Sequence, residues 1–141
     1  KGRYGTRAAL ELALRYGEGP IMVREIAEAQ GISERYLEHI LNNLRASGIA
    51  WSTRGARGGY ELARPPREIT VGEVVRSLEG PLDIVPCIGD EDCGRAAICV
   101  TTDVWREVRT AIEGVLDSVT LEHLADRFRA FNVGSAGNYS I

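Results

Sequence analysis

The sequence lacks a long apolar run: no segment has the character of a membrane span, and nothing near its start resembles a signal peptide. Cysteine is also scarce, with three in 141 residues, an odd number that cannot pair completely within one chain. The chain is therefore expected to be cytoplasmic, where thiols stay reduced, with no membrane as a partner. Its 44% hydrophobic content suffices for the core of one domain, or of one small domain with an extension.

Catalytic constellations are missing as well. The sequence shows no nucleophile with an accompanying base, no phosphate-cradling loop that leads into a helix, and no carboxylate pair with an evident substrate pocket. His39 and His123 are the only histidines, and both fall in predicted helices, which favours surface or DNA-facing roles over metal ligation. An enzyme is not expected.

The charge is divided unevenly along the chain. Residues 1–67 carry 11 Lys and Arg against 7 Asp and Glu, a net +4, whereas residues 68–141 carry 6 against 13, a net −7. The basic half is a candidate for contact with phosphates, and the acidic half would face away from them.

Apolar periodicity predicts three helices in the basic half. The first runs from Tyr4 to Tyr16, and the second, from Arg24 to Gln30, ends at Gly31 in a left-handed cap position. The third runs from Glu34 to Ser47, with Ser33 as its N-cap. Two helices joined by a tight turn that contains glycine form a helix-turn-helix pattern.

A glycine-rich hairpin follows the third helix. Strands are predicted over residues 49–53 and 60–62, joined by a tight turn. Arg54 and Arg57 at the tip supply forked donors for phosphate or a groove edge, and glycines such as Gly58 let the backbone approach a partner. An ordinary solvated hairpin is the alternative, but two arginines amid three glycines favour nucleic acid.

The acidic half is predicted to be helical. Thr70 and Glu73 form a capping box for a fourth helix that stops at Gly80, and Thr120 caps a final helix. Between them a long helix begins near Thr102, its expected N-cap, and carries two apolar stripes. These stripes are Val104, Val108, Ala111 and Val115, and Trp105, Ile112, Leu116 and Val119. Two stripes indicate two partners, the chain's own domain and a second copy.

Cys87, Cys93 and Cys99 are spaced evenly, with five residues in each gap. Structural zinc sites usually bring thiolates as tight pairs two to four residues apart, which these gaps do not match. A polynuclear centre wrapped by a loop fits better, although iron–sulfur clusters normally take four thiolates. Three incidental cysteines are the alternative. The surrounding Pro, Gly, Asp and Glu residues favour a ligating loop, because incidental cysteines are usually buried.

Several motifs together resemble the winged-helix bacterial regulators of the Rrf2 family, which are typified by IscR and include the nitric-oxide-responsive NsrR. The motifs are Lys1–Gly5, Ile32–Glu38, the wing from Arg54 to Tyr60, Val71–Val74, and the three cysteines followed by Val104-Trp105 and Thr120-Leu121. The resemblance covers residues 1 to about 131. It implies a mainly α fold with a small β-hairpin wing. Its parts are a winged helix-turn-helix domain (1–80), a cluster-binding cysteine loop (81–101), dimerisation helices (102–131) and a tail (132–141).

The resemblance also implies a function: a homodimeric repressor or activator that binds double-stranded DNA and holds an iron–sulfur cluster, [2Fe-2S] as in IscR, on its cysteines. Such a regulator senses cluster status, redox state or nitric oxide. Two alternatives stay open, a cluster-free thiol-redox or metal sensor of the same fold, and an iron–sulfur electron carrier or assembly protein.

The fourth cluster ligand is open, because Thr102 stands where IscR-like proteins carry a histidine, three residues after the last cysteine. A threonine hydroxyl is a poor iron ligand. A small exogenous ligand is one candidate, and the others are Asp90, Glu91, Asp92, Asp103 and the other subunit's Glu11.

The expected DNA contacts lie at both ends of the winged unit. In a helix-turn-helix, the N-terminal part of the second helix reads base edges in the major groove. The expected readers are Ser33, Arg35, Glu38 and His39, of which Arg35 can fork onto a guanine and Glu38 can accept from a cytosine amine. Arg54 and Arg57 would enter the minor groove or grip the backbone, and Arg3 and Arg7 would add phosphate contacts.

Overall fold

The computed structural model describes residues 1–82 and 100–139, and the three cysteines, with Asp90, Glu91 and Asp92, lie outside the described residues. The described elements are α1 (Gly2–Leu14), α2 (Val23–Gln30), α3 (Glu34–Ala46), β1 (Ala50–Thr53), β2 (Gly59–Leu62), a 3-10 turn (Pro66–Glu68), α4 (Val71–Glu79), α5 (Thr101–Ser118) and α6 (Leu121–Tyr139). The mainly helical architecture with one antiparallel hairpin is confirmed.

Local signals set the beginnings of α3 and α4 and the end of α2. Ser33 Oγ accepts a hydrogen bond from the Tyr36 amide at 3.3 Å, and Thr70 Oγ1 accepts one from the Glu73 amide at 3.1 Å. Gly31 ends α2 with φ of 64°, a left-handed conformation that glycine adopts without steric cost. These three predictions are confirmed.

The capping box at Thr70 is only half formed, which corrects the sequence prediction. The Glu73 carboxylate accepts instead from the Arg64 guanidinium at 2.5 Å. A charged donor that arrives from just beyond β2 competes successfully with the backbone amide, because charge-assisted hydrogen bonds are the stronger ones. The pair ties the exit of the hairpin to the first turn of α4.

The prediction that Thr102 caps the long helix is wrong. The helix begins one residue earlier, at Thr101, and its N-cap residue is Val100, which makes no side-chain capping bond. Thr102 therefore lies within the first turn, and its side chain is only 2% exposed.

Helix α6 begins with a reciprocal cap. Thr120 Oγ1 accepts from the His123 amide at 3.1 Å, and His123 Nδ1 accepts from the Thr120 amide at 3.2 Å. The cap at Thr120 is confirmed, and exposed His123 has a structural role in place of a ligating one. The helix continues to Tyr139, through most of residues 132–141, which were expected to form a tail.

The core lies between α1, α2, α3 and α4, and α6 adds one side chain to it. Its members at 1% exposure or less include Ala8, Ala9, Leu12, Ile26, Leu37, Ile40, Leu41, Leu44, Ile69, Val74 and Leu121. The expected apolar stripe of α3 is thus entirely buried, which orients the opposite side of that helix towards solvent.

The C-terminal end of helix α5 is tied to α4. The Val71 amide donates to Val119 O at 2.9 Å, and Arg76 forms a forked pair with Asp117 at 2.6 and 3.3 Å. The hydrogen bond that Arg76 donates to Asp117 raises the pKa of Arg76 above its usual value. A Cβ on Gly72 would lie 1.9 Å from Asp117 Oδ1, so α4 and α5 approach closely here.

The two apolar stripes of α5 differ in exposure. Val104 and Val115 are 51% and 65% exposed, whereas Trp105 and Leu116 in the other stripe are half-buried. One face of the helix therefore packs against its own domain, and the other stays open to solvent.

A short extended segment at Ile21 pairs with β2 and joins the wing to the helical part of the domain. Ile21 and Tyr60 exchange two backbone hydrogen bonds of 2.9 Å, beside the hairpin pairing of Ala50 with Leu62. Gly59 lies against this segment, and a Cβ there would come within 2.1 Å of Ile21 O.

We expect Gly59→Ala to lower the free energy of unfolding by about 1–3 kcal/mol, because the added methyl group meets backbone that cannot move aside cheaply. Urea unfolding followed by circular dichroism measures the change. Gly114→Ala is the control, since nothing lies within 4 Å of a Cβ at Gly114 in α5. An equal effect of the two substitutions would contradict the close approach at Gly59.

Candidate nucleic-acid interface

The accessible side of α3 carries all of the expected base readers. Ser33, Arg35, Glu38 and His39 are exposed, while the apolar stripe of the same helix is fully buried. Ser33 is also the N-cap, so its hydroxyl oxygen is already engaged with the Tyr36 amide. A helix fixed on one face and polar on the other can enter a groove without loss of its core contacts.

A hydrogen bond connects this reading surface to the wing. Tyr60 Oη in β2 donates to Asn42 Oδ1 in α3 at 3.2 Å, and Arg45 donates to the same oxygen at 3.3 Å. Asn42 lies one helical turn beyond Glu38 and His39 and is exposed. Sequence reasoning did not single out Asn42, although its i+3 and i+4 spacing from the readers placed it on their face.

An aromatic pair holds Arg3 near the start of α3. The rings of Tyr4 and Tyr36 meet edge to face, with centroids 5.7 Å apart and an interplanar angle of 89°. The Arg3 guanidinium lies 4.9 Å from the Tyr4 ring centroid and donates to Tyr4 Oη at 3.1 Å. Arg3 is exposed, so its positive charge is available beside the reading helix.

Arg7 is engaged within the chain. Its Nε donates to Gln30 Oε1 at 3.1 Å, and its Nη2 donates to the carbonyl oxygen of Gln30, the last residue of α2. Gln30 Nε2 in turn donates to Glu11 Oε1 at 3.0 Å. Arg7 therefore positions the turn of the helix-turn-helix. Its role as a phosphate contact stays a prediction, because a phosphate would compete with Gln30 for the same guanidinium group.

The wing tip presents two free cations. Arg54 and Arg57 are exposed, and neither has a carboxylate partner among the residues that the structure describes. The turn is closed by a bond from the Gly58 amide to Gly55 O at 3.0 Å, and Gly55 has φ of 112°. A Cβ on Gly58 would lie 2.1 Å from Thr53 O, so the turn itself requires glycine at this position.

The described residues hold only part of the expected metal site. Within 1–82 and 100–139, no group of three or more His, Cys, Asp or Glu side chains converges. Of the fourth-ligand candidates in these ranges, Glu11 is bonded to Gln30, and Asp103 is 85% exposed and lies 3.8 Å from Arg106. Thr102 Oγ1 is buried and has no hydrogen-bond partner among the residues that the structure describes.

The length and polarity of the described helices show whether any of them could span a membrane. Across residues 1–82 and 100–139, every helix is too short or too polar to cross a bilayer.

Comparison with known proteins gives one consistent result. The profile of the Rrf2 family, described as an iron-dependent transcriptional regulator, matches residues 1–127. The regulator CymR of Bacillus subtilis is 43% identical over 125 residues, which cover 89% of this chain and 86% of CymR. The regulator IscR of Aliivibrio salmonicida is 40% identical over 88% of this chain and 74% of its own length.

Solved structures agree with the sequence comparison. The structure of T. potens IscR matches with a TM-score of 0.73 and 44% identity, and it covers 89% of this chain and 83% of that one. The structure of B. subtilis CymR, described as a global cysteine regulator, matches with a TM-score of 0.74 and 43% identity, over 89% and 93% of the two chains.

We expect Arg54→Ala to weaken binding to a duplex selected by the protein from a random pool by about 1–3 kcal/mol, and to lower the salt slope by about one. Titration by fluorescence anisotropy at several salt concentrations measures both. Arg127→Ala, which removes an exposed arginine from α6, should leave binding unchanged. Equal affinities of the Arg54 variant and the wild type at physiological salt would rule out Arg54 as a DNA contact.

Proposed function

Because this chain belongs to the Rrf2 family of transcriptional regulators, a non-enzymatic class, we propose that it is a homodimeric DNA-binding regulator that senses through an iron–sulfur cluster. Cys87, Cys93 and Cys99 hold the cluster, and its status, its redox state or nitric oxide is the signal. The observation that carries this proposal is the even spacing of three cysteines directly ahead of α5. We place the protein in the cytoplasm with its DNA.

DNA recognition divides between the two parts of the winged unit. The exposed side of α3, with Arg35 and Glu38, reads base edges in the major groove. Arg54 and Arg57 on the wing grip the minor groove or the phosphates, and their free guanidinium groups support this role. The acidic half of the chain turns away from the duplex, as its net charge of −7 requires.

The open stripe of α5 supports dimerisation. Val104 and Val115 of this stripe are 51% and 65% exposed, Ile112 of the neighbouring stripe is also 37% exposed, and a shallow apolar depression is lined by Ala111, Ile112, Val115 and Leu116 from both stripes. Apolar side chains gathered on one side of an exposed helix mark an interaction surface, and the stripe's four-three-four rhythm suits a matching helix. A second copy of α5 is the occupant that we propose.

When bound, the cluster would supply a redox-active centre just before α5 in the chain. Residues of the chain itself transmit its effect to the DNA-binding unit. Arg76 and Asp117 fix the C-terminal end of α5 to the winged unit. Ligation of the cluster near the N-terminal end of α5 would therefore change the position of α5 and of its partner helix relative to the two winged units.

The cluster type that we propose is [2Fe-2S]. Three thiolates leave one ligand to be found, and a carboxylate such as Asp103, or Glu11 from the partner subunit, is a harder ligand than a thiolate. A weak fourth ligand makes the cluster easy to lose or to attack, which suits a sensor.

A cluster-free thiol sensor is the second candidate. The 43% identity to CymR, whose structure is described as that of a global cysteine regulator, favours it. In this case, oxidation of the cysteines or binding of another metal ion would replace the cluster as the signal. Family membership lends no support to an electron carrier or assembly protein.

We expect protein purified without oxygen to be coloured, with visible absorption that disappears in a Cys87→Ala, Cys93→Ala, Cys99→Ala variant. The loaded protein and this variant should differ in affinity for the selected duplex by about 5-fold or more, the low end of typical allosteric coupling. A colourless protein whose DNA affinity responds to reversible thiol oxidation would support the second candidate instead.

We expect Val115→Lys to raise the Kd of the dimer by about 100-fold or more, because two symmetric copies each lose about 1.5–3 kcal/mol of apolar burial. Sedimentation equilibrium measures this change. Thr110→Lys, on the polar side of the same helix, should leave the dimer intact. Equal effects of the two substitutions would remove α5 from the interface.

A further inference from the structure

Asn42 lies at the centre of the exposed face of α3. At about 100° per residue, it falls within about 60° of Arg35, Glu38 and His39 around the helix. All four side chains are exposed, whereas the apolar stripe of α3 is buried on the opposite side. A side chain placed among the expected base readers is therefore within reach of the same DNA.

Two donors fix the orientation of the Asn42 amide. Arg45 Nη2 donates to Asn42 Oδ1 at 3.3 Å, and Tyr60 Oη donates to the same oxygen at 3.2 Å. A guanidinium group can only donate, so the amide must turn its oxygen, and not its nitrogen, towards Arg45. Asn42 is exposed, and it therefore presents the Nδ2 donors away from Arg45.

This orientation excludes one kind of base reading. Asparagine reads adenine through two bonds, which need the side-chain oxygen as an acceptor as well as the nitrogen as a donor. Both acceptor positions of Asn42 Oδ1 are occupied by Arg45 and Tyr60. The amide is left to act on DNA as a donor only, and phosphate oxygens are the acceptors that proteins contact most often on a duplex.

The place of Asn42 between α3 and the wing also favours a phosphate. In the proposed complex, α3 occupies the major groove, and the wing tip reaches the adjacent minor groove or its phosphates. The DNA strand that separates these two grooves then passes between α3 and the wing. The bond from Tyr60 to Asn42 spans that gap, and exposed Arg45 adds a positive charge beside it.

We propose that the Asn42 side-chain amide, oriented by Arg45 and Tyr60, donates a hydrogen bond to one DNA phosphate per protomer. This inference rests on the proposed DNA binding and names a further contact residue for it. Because a phosphate carries no base identity, the contact sets the register of α3 and the wing on the duplex and leaves the choice of sequence to the base readers.

Asn42→Asp separates this role from a structural one. A carboxylate keeps an acceptor for Arg45 and Tyr60, so the variant should melt at or above the wild-type temperature by circular dichroism. It lacks the donors and repels a phosphate, so affinity for DNA should fall about 10-fold or more, the scale of one hydrogen bond to a charged group. Fluorescence anisotropy should show an equal loss for the selected duplex and for an unrelated one.

Asn43→Asp is the matched control for the added charge. It places the same carboxylate on the next residue, whose half-buried side chain lies about 100° around the helix from Asn42. A charge that touches no phosphate acts only through screened solvent, so this variant should weaken binding by less than about 3-fold.

Neutralising single phosphates of the duplex provides a second measurement, which also uses the unmodified protein. Replacing the contacted phosphate by a methylphosphonate should lower the affinity of the wild type. Asn42→Ala should reduce that loss by about 3-fold or more, as expected for two groups in direct contact. Arg54→Ala, which removes a different contact, should leave the loss unchanged.

Three results would overturn the inference. One is equal binding by Asn42→Asp and Asn43→Asp, and another is equal sensitivity of the wild type and Asn42→Ala to every methylphosphonate. The third is a changed base preference in the duplexes that Asn42→Ala selects, which would make Asn42 a base reader. In each case the wild type still binds its selected duplex and the proposed function stands, whereas a wild type that binds no DNA would overturn both.

Discussion

The position of α5 relative to the winged unit depends on one contact, between the start of α4 and the turn that joins α5 to α6. The Val71 amide bonds to Val119 O and the Leu121 amide to Ile69 O, so two backbone bonds flank the residue pair Thr70 and Thr120. The half-exposed Arg76–Asp117 pair adds at most about 1 kcal/mol by itself. The pair also sets direction, because a forked guanidinium donates two hydrogen bonds to a carboxylate in one preferred geometry and so fixes the angle at which α5 leaves the winged unit.

The two ends of α5 stand in contrast. The C-terminal end is tied to α4 by backbone and side chain, and Gly72 allows Asp117 to approach it closely. At the other end, the first turn holds the Thr102 hydroxyl, which is buried and has no hydrogen-bond partner among the described residues. In the proposed regulator, a centre held by the cysteines that precede α5 would add its interactions at the first turn, the end of the helix opposite the contact with α4. Because a ligand shifts an equilibrium only through interactions that differ between states, that turn is where the proposed signal would act.

Predictions that needed only a few consecutive residues mostly agree with the structure, with the cap at Thr102 and half of the capping box at Thr70 as exceptions, whereas contacts between distant residues were not predicted. Ser33, Thr70 and Gly31 act through the backbone of their own turn, so their roles can be read from neighbouring residues. Arg64 reaches Glu73 and Arg7 reaches Gln30 across 9 and 23 positions, and no sequence pattern marks those pairs. The expected base readers on α3 are exposed, since the buried stripe of that helix defined the opposite face, whereas the engagement of Arg7 with Gln30 and the burial of Thr102 arise from packing.

The winged unit is too firmly held to be the part that changes. The apolar stripe of α3 is fully buried, Tyr36 packs on Tyr4, and Asn42 bonds to Tyr60 of the wing. To distort α3 would break core and surface contacts together, at a cost of several kcal/mol. The open stripe of α5 has no comparable contacts within the described chain, so its position relative to a partner helix can change cheaply. In the proposed dimer, a signal that enters near α5 would therefore act on the spacing of two rigid winged units, and a change of spacing would alter affinity because half-sites on DNA lie at fixed separations.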